Sequence, residues 1–130
     1  MILIDYRDAR PIYEQIVDRF RMLILRGVIR PDEKMPSVRN LAVDISINPN
    51  TIQRAYAELE RQGYIYTVKG KGNFVSESGE LMRKYKEEIF ARLAELYKLA
   101  TGVGITEDEL VACIKKGGAY DRDQECNKML

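Results

Sequence analysis

Histidine is absent from this chain, and so are the chemistries that depend on an imidazole. Ser-His triads, imidazole acid–base catalysis and histidine-ligated metal sites are therefore excluded. The only two cysteines, Cys113 and Cys126, are too few for a disulfide framework or a zinc site of the usual spacing. The sequence also contains no phosphate-cradling P-loop and no pattern of a paired-carboxylate cleft. We therefore expect a protein that is not an enzyme and that uses no metal or other cofactor.

Long hydrophobic runs are also missing. No stretch of about 18 apolar residues is present, so we expect no membrane-spanning segment. The chain does not begin with a basic and then apolar segment ending in a cleavage site, so we expect no secretory signal and a cytoplasmic location. With 45% hydrophobic and 32% charged residues, the chain has the composition of a folded protein. Its 130 residues are enough for one domain, or for one small domain with an appendage.

Charge is nearly balanced overall but is unevenly placed. The net charge is +1, and residues 1–76 carry +3 while residues 77–130 carry −2. This asymmetry is too mild to indicate nucleic-acid binding by itself. It is compatible with a DNA-binding half joined to a half that contacts protein.

The order of patterns in residues 34–75 predicts a winged helix-turn-helix. Ser37 is a good N-cap for a short helix, residues 46–48 form a turn, and a second helix runs from about Asn50 to Gln62. Two β-like runs then follow, at residues 64–68 and 73–76. An amphipathic helix that starts near Pro11 precedes the motif, and Gly27 is placed to end it. We predict a mainly α fold with a small β-hairpin (α+β), comprising an N-terminal winged helix-turn-helix and a short C-terminal two-helix dimerisation domain.

The second helix of the motif has the composition of a DNA-reading helix. Asn50 and Thr51 lie at its N-terminal end, and Gln53 and Arg54 lie about one turn further on its polar face. Glutamine pairs with adenine, and arginine pairs with guanine or phosphate, when a helix enters the major groove. The alternative is that Asn50 is only an N-cap and that Gln53 and Arg54 belong to an ordinary solvated face.

Ser37 and Arg39 begin the preceding helix. A serine there caps the helix and also donates to a phosphate, and an arginine two residues on clamps a phosphate. Taken alone, the pair is better explained as a plain cap followed by a surface arginine, because serine is a common N-cap.

A basic, glycine-containing turn joins the two β-like runs. It reads Lys69, Gly70, Lys71 and Gly72. Glycine lets a backbone approach a phosphate or groove closely, and lysine supplies positive charge. A simple hairpin turn also favours glycine, so the turn becomes informative only through its position after the two helices.

The C-terminal half predicts a dimerisation element. After a boundary near residues 76–77, apolar residues recur on one face of a long helix that Gly102 is predicted to end, and Thr106 with Glu109 forms a capping box for a last helix. Such a long apolar stripe needs a partner, and two such hairpins would form a small bundle. The alternative is packing back onto the first domain. The predicted dimerisation residues are Leu81, Tyr85, Ile89, Leu93, Leu96, Tyr97, Leu110 and Ile114.

Several of these motifs, in the same order, resemble those of the GntR-type bacterial transcription regulators. Residues 11–16 (PIYEQI) resemble the opening helix of that family, and residues 35–42 (MPSVRNLA) resemble its LPSxRxLA motif. Residues 48–60 (NPNTIQRAYAELE) resemble the recognition helix of one of its branches. Residues 70–75 (GKGNFV) resemble its GxGTFV wing. Departures occur at Asp32 and Ser46, where the family usually has glycine, and at Asn73, where it has threonine.

Among the branches with the NPNT…RAY form, the short tail resembles the YtrA-like branch. The resemblance implies a homodimer that binds an inverted-repeat DNA operator, usually as a repressor and often at ABC transporter genes. No residue identifies a small-molecule effector. A winged-helix module that binds protein rather than DNA is the remaining alternative, and it predicts no salt-dependent affinity for duplex DNA. By position, the resemblance implies DNA contacts at Ser37, Arg39, Asn48, Asn50, Thr51, Gln53, Arg54, Lys69, Gly70, Lys71 and Gly72.

Overall fold

The computed structural model describes residues 4–118, so Cys126 lies outside the described residues. Within this range the chain is mainly helical with one β-hairpin, which confirms the predicted fold class. The elements are α1 (Ile12–Leu25), α2 (Val38–Ile45), α3 (Pro49–Arg61), β1 (Ile65–Val68), β2 (Gly72–Val75), α4 (Gly79–Gly102) and α5 (Glu107–Lys115).

Helix α1 forms because its apolar residues recur on one face. Ile16, Phe20 and Ile24 are at most 1% exposed, which places them at the centre of the core. The helix ends where Gly27 adopts a left-handed conformation with φ of +74°. This confirms the predicted stop.

Helices α2 and α3 form the helix-turn-helix. The side chain of Ser37 accepts a hydrogen bond from the Asn40 amide at 3.1 Å and caps α2, as predicted. Ser46 ends α2 in a left-handed conformation, with φ of 54° and ψ of 45°. A residue with a Cβ is strained in this region by about 1–2 kcal/mol relative to glycine, which explains why related turns use glycine.

Strands β1 and β2 form a two-stranded antiparallel hairpin, here called the wing, that spans residues 65–75. Thr67 pairs with Asn73, and Val68 pairs with Gly72, so residues 69–71 lie at the tip. Strand β1 begins one residue later than the predicted run, and β2 begins and ends one residue earlier than the predicted run.

The hydrophobic core lies between α1, α2, α3 and the wing. Helix α3 packs against α1, α2 and β1, so this one helix is held from three sides while its outer face stays exposed. The fully buried large side chains are Ile16, Phe20, Ile24, Ile52, Tyr56, Leu59 and Val75.

The chain divides into two compact units, Met1–Tyr85 and Lys86–Leu130. The first turns of α4 belong to the core of the first unit, and the functional boundary at residues 76–77 stays a prediction. Leu81 and Tyr85, which were predicted to act in dimerisation, pack there as partly buried residues together with Met82. The guanidinium of Arg21 also lies over the Tyr85 ring, with its carbon 5.6 Å from the ring centroid.

In the second unit, α4 continues through Gly102, which was predicted to end it. The left-handed residue is Gly104, with φ of +88°, and the Ile105 amide donates to the Ala100 carbonyl at 3.0 Å to close the turn. The predicted capping box of Thr106 and Glu109 is confirmed, with both hydrogen bonds formed. Cys113, on α5, is half-buried. No helix among residues 4–118 combines the length and apolarity that a bilayer crossing requires.

Candidate nucleic-acid interface

The N-terminus of α3 is built by a side-chain cap and a proline. Asn48 caps the helix, because its Oδ1 accepts a hydrogen bond from the Asn50 amide at 2.8 Å. Pro49 occupies the first helical position, where its missing N–H and fixed φ are tolerated. The alternative interpretation of Asn50 as the cap is therefore wrong: Asn50 lies inside the first turn and is exposed.

The outer face of α3 presents polar and basic side chains. Asn50, Gln53 and Arg54 are exposed, and Thr51 is half-buried at the edge of the face. At 100° per residue, Asn50 and Arg54 are one turn apart on the same side of the helix. The first two turns therefore offer an amide and a guanidinium on the same side of the helix, which are groups that hydrogen-bond base edges and phosphates.

Tyr56 anchors the inner face of the same helix. Its ring packs edge-on against Phe20, with centroids 5.8 Å apart and planes at 83°. Its hydroxyl donates to the Pro36 carbonyl at 2.7 Å, which ties α3 to the segment that leads into α2. Burial raises the pKa of the Tyr56 hydroxyl above its usual range, so this group stays neutral and keeps its proton for the hydrogen bond.

The wing places its basic turn on a restrained hairpin. Gly70 and Gly72 have φ of +76° and +120°, and glycine adopts both of these backbone conformations without the strain that a Cβ would introduce. The Thr67 hydroxyl donates to the Asn73 side-chain carbonyl at 2.8 Å, just below the tip. Asn73, a departure from the related motif, thus acts as a cross-strand partner.

A third segment, residues 32–35, runs beside β2. The Asp32 amide donates to the Val75 carbonyl at 2.7 Å, and the Met35 amide donates to the Asn73 carbonyl at 2.8 Å. Asp32 has φ of 65° and accepts a hydrogen bond from the Tyr66 hydroxyl at 2.7 Å. That carboxylate raises the pKa of Tyr66. The wing is therefore held from the side by the loop that precedes α2.

This segment brings a further cation, Lys34, to the wing. A Cβ added to Gly72 would lie 3.1 Å from Lys34 Cε, so the lysine stem crosses directly over the glycine. Lys34 was not among the predicted contacts, because its position beside the turn depends on pairing between segments distant in sequence. The only feature of the sequence that could have pointed to Lys34 as a contact is its position directly before the MPS motif.

Arg54 has a partner that sequence reasoning also missed. Its guanidinium carbon lies 3.8 Å from the centroid of the Tyr13 ring, on the first turn of α1. The contact joins the opening PIYEQI motif to the exposed face of α3. Nothing in the local sequence around either residue indicates it.

The cations of this surface lack acidic neighbours. Within residues 4–118, no carboxylate forms an ion pair with Lys34, Arg39, Arg54, Lys69 or Lys71. By contrast, the pairs Arg10–Asp18, Arg21–Asp18, Arg61–Glu58 and Arg83–Glu80 are neutralised locally. Four of these unpaired cations, Arg39, Arg54, Lys69 and Lys71, are predicted contacts, and together they favour an anionic partner. Among residues 4–118, other cations such as Arg26 also form no ion pair, so it is the grouping of charges on α2, α3 and the wing that marks this surface.

The predicted contacts differ in how free they are to bind. Arg39, Gln53, Lys69 and Lys71 are exposed, whereas the side-chain oxygens of Ser37 and Asn48 are engaged in helix caps. Helix packing brings the contacts of α2 and α3 together, and the wing carries the remaining ones on its own turn. Residues 4–118 contain no cluster of three acidic or cysteine side chains that could hold a metal ion.

The second unit exposes most of its apolar residues. Of the predicted dimerisation residues, Ile89, Leu93, Leu96 and Tyr97 lie exposed on α4, and Leu110 is half-buried on α5. Of the described residues in this unit, only Ala100 is buried. Ten large hydrophobic residues are exposed there: Ile89, Phe90, Leu93, Leu96, Tyr97, Leu99, Val103, Ile105, Val111 and Ile114.

Comparison with known proteins gives consistent matches. Residues 12–75 match the family described as bacterial regulatory proteins, gntR family. Over 118 residues the chain is 42% identical to the HTH-type transcriptional repressor YtrA of Bacillus subtilis, covering 89% of this chain and 91% of that protein.

Two solved structures extend the comparison. A GntR family transcriptional regulator from Listeria monocytogenes matches with a TM-score of 0.71 at 38% identity, covering 84% of this chain and 96% of that one. The AraR DNA-binding domain in complex with operator ORE1 matches with a TM-score of 0.51 at 30% identity, covering 58% of this chain and 93% of that one.

Proposed function

The chain belongs to the GntR family of bacterial regulatory proteins and is a DNA-binding transcriptional regulator, and we propose that it acts as a homodimeric repressor on an inverted-repeat operator. The observation that carries the proposal is the exposed face of α3, where Asn50, Gln53 and Arg54 project from a helix held on three sides. A rigid helix with a polar outer face is the element that such regulators insert into the major groove.

DNA contacts are proposed on three elements. Asn50, Gln53 and Arg54 read base edges from α3, with Thr51 at the edge of that face. Arg39 at the start of α2 binds a phosphate, and the α2 and α3 N-termini capped by Ser37 and Asn48 present their amides to the backbone. The wing residues Lys69, Gly70, Lys71 and Gly72, joined by Lys34, follow the adjacent backbone or groove. The structure of AraR with its operator supports a DNA partner for this fold.

The dimer is proposed to form through the second unit. Among the described residues of this unit, 86–118, ten large apolar side chains are exposed and only Ala100 is buried, so these residues form no core of their own in a single copy. A second copy would cover Ile89, Leu93 and Leu96, which share one face of α4, together with Tyr97, Leu110 and Ile114 on either side. Leu81 and Tyr85 are left out of this interface, because they pack in the first unit.

A two-fold dimer sets the form of the operator. Each copy would present one α3, so the site consists of two half-sites related by an inverted repeat and separated by about one helical turn of DNA or a multiple of it. Such a regulator acts in the cytoplasm, where the chromosome lies. The match to a repressor over most of both chains supports repression as the sign of regulation. ABC transporter promoters are the first candidates in which to look for the site.

The DNA-contact proposal is tested with arginine variants. A duplex selected by the wild-type protein from a random-sequence pool serves as the probe, and its affinity is measured over a range of salt concentrations. We expect Arg39→Ala to weaken binding and to reduce the salt slope by about one unit per subunit, because a phosphate contact is lost. Arg54→Ala should lower discrimination by about 1–3 kcal/mol at one base position per half-site if it pairs with guanine.

Arg26→Ala is the matched control, because Arg26 is an exposed arginine at the far end of α1 from Tyr13. It should leave affinity and salt slope unchanged. Equal effects of all three substitutions would refute the assignment of contacts. Failure of the wild-type protein to select any sequence would refute site-specific DNA binding itself.

The dimer proposal is tested with two variants of α4, one with a carboxylate on the proposed interface and one with a carboxylate outside it. Leu93→Glu places a carboxylate on the apolar face, and Lys98→Glu places one about 140° away round the helix axis. In sedimentation, Leu93→Glu should run as a monomer of half the wild-type mass, while Lys98→Glu stays dimeric. A monomeric wild-type protein, or a Leu93→Glu dimer of unchanged affinity, would contradict the proposed interface.

A further inference from the structure

We propose that Tyr13 is a positioning residue that holds the Arg54 side chain ready for DNA, an assignment that rests on the function proposed above. The guanidinium of Arg54 lies over the face of the Tyr13 ring, with 3.8 Å between the guanidinium carbon and the ring centroid. This is well inside the separation of about 6 Å at which a cation and an aromatic face attract each other. The first helix would thus act in recognition without a DNA contact of its own.

The ring is itself fixed in place. Tyr13 lies in the first turn of α1, is half-buried and packs against the hydrophobic core. Its hydroxyl lies 3.3 Å from Glu14 Oε1, to which it donates a hydrogen bond. Helix α1 in turn packs directly on α3, so ring and arginine are held on two helices that do not shift independently. The ring is therefore a firm surface for a long and otherwise flexible side chain.

The stack leaves the binding groups of Arg54 free. An aromatic ring covers one flat face of a guanidinium, while the N–H groups point outward in the guanidinium plane. Arg54 is exposed, and within residues 4–118 it has neither a carboxylate partner nor a hydrogen bond from its side chain. Its donors are thus available to guanine or phosphate, and the side chain is already ordered before DNA arrives.

Ordering before binding is what gives Tyr13 its proposed effect. Immobilising a flexible side chain opposes association, and a side chain held in its bound conformation avoids most of that loss. Arg54 on a fixed ring should therefore bind more tightly than Arg54 on an open helix surface. The expected difference is about two- to ten-fold in affinity for each half-site.

A double-mutant cycle on a selected duplex tests the proposal. The four proteins are the wild type, Tyr13→Leu, Arg54→Ala and the double variant, and the probe is the duplex that the wild-type protein selects from a random pool. We expect Tyr13→Leu to weaken binding by about two- to ten-fold per half-site, and to have no further effect once Arg54 is replaced by alanine. Tyr13→Phe keeps the ring and should restore wild-type affinity.

Other outcomes would overturn the inference. A loss that persists in the Arg54→Ala background would mean that Tyr13 acts through the fold, and tighter binding by Tyr13→Leu would mean that the ring withholds Arg54 from DNA. If the wild-type protein selects no duplex, the proposed function fails instead, so the two failures are distinguishable.

A spectroscopic readout covers the case in which Tyr13→Leu does not fold. The chain contains no tryptophan, so Tyr13→Trp introduces a single emitter that keeps an aromatic face for the guanidinium. Its emission should differ between the protein that retains Arg54 and the protein that also carries Arg54→Ala, and it should change when the duplex binds. Identical spectra with and without the Arg54→Ala substitution would show that ring and guanidinium are not in contact in solution.

Discussion

Replacement of Tyr56 by phenylalanine removes one hydroxyl and leaves the rest of the core intact. The ring remains packed edge-on against Phe20, while the hydrogen bond to the Pro36 carbonyl, 2.7 Å long in the wild type, is lost. A hydrogen bond of this kind contributes about 0.5–1.5 kcal/mol net, and a carbonyl left desolvated raises the loss towards about 3 kcal/mol. Because Pro36 is half-buried and water reaches it in part, we expect a loss near 1 kcal/mol in the free energy of unfolding.

The measurement is thermal and urea unfolding at one fixed protein concentration, because the stability of a dimer depends on concentration. A loss of about 1 kcal/mol corresponds to a fall of about 4–8 °C in Tm for a unit of this size. The urea m-value should stay constant, since the surface exposed on unfolding is unchanged.

The same substitution has a signature at high pH. Burial raises the pKa of Tyr56 above its ordinary value of 10.0, so the unfolded chain loses the proton first. The stability that the neutral hydroxyl contributes is therefore complete below about pH 10 and is lost as pH rises towards the folded pKa. Tyr56→Phe should lack this contribution, which amounts to at most about 1.4 kcal/mol per pH unit for one proton.

Tyr6→Phe is the matched control, because Tyr6 is 73% exposed and should change stability by less than about 0.5 kcal/mol. Equal stability of the Tyr56 and Tyr6 variants at neutral pH, with equal alkaline slopes, would refute the reasoning. It would mean that the hydroxyl does not tie α3 to the segment before α2.

Three further substitutions test local features of the fold. Ser46→Gly should raise the free energy of unfolding by up to about 1 kcal/mol, because Ser46 is left-handed; a loss on urea unfolding would contradict this. Glu58→Gln should lower it by about 0.3–0.5 kcal/mol at pH 7. Hydrogen bonds from Arg61, the larger effect, and from Gln62 lower the pKa of Glu58 from the ordinary 4.5 to about 2. The difference in free energy of unfolding between wild type and Glu58→Gln should therefore vanish as pH falls from 4.5 towards 2. A difference that does not change with pH would exclude the ion pair. Thr106→Ala should lower the stability of α5 by about 1 kcal/mol, because the side-chain cap of the helix is lost. A variant whose helix content falls on heating in the same way as that of the wild type would contradict this.

Helix ends were predictable where the signal is local. The caps of Ser37 and Thr106 depend on residues within three positions, and both form as expected. Ser46 stands where the related family usually has glycine, and its left-handed backbone is the conformation that glycine adopts most readily. Asn48 followed by Pro49 carried the signals of a cap and a first helical residue, so the start of α3 could have been placed one residue earlier from sequence.

The end of α4 was harder, because two glycines lie close together. Gly102 keeps helical geometry, and Gly104 takes the left-handed conformation that closes the turn. Either glycine satisfies a C-terminal stop signal, since both lack a Cβ. Which one ends the helix depends on where the chain turns towards α5.

Contacts between distant segments could not be derived from periodicity. The stack of Tyr13 on Arg54, the place of Lys34 over Gly72, and the packing of Tyr85 in the first unit all depend on the assembled fold. A helical stripe shows only that a face is apolar, and it does not identify the surface that covers it. For this reason the prediction assigned all of α4 to dimerisation, although its first turns complete the core of the first unit.

The most direct test of DNA recognition by α3 and the wing is a footprint of the protein on duplex DNA from upstream of its own gene, at two salt concentrations. If α3 and the wing recognise DNA as proposed, we expect two protected segments related by a two-fold axis, with protection that weakens as salt rises because lysine and arginine contacts to phosphate are lost. Absence of protection at both salt concentrations, on this DNA and on DNA selected from a random pool, would contradict it.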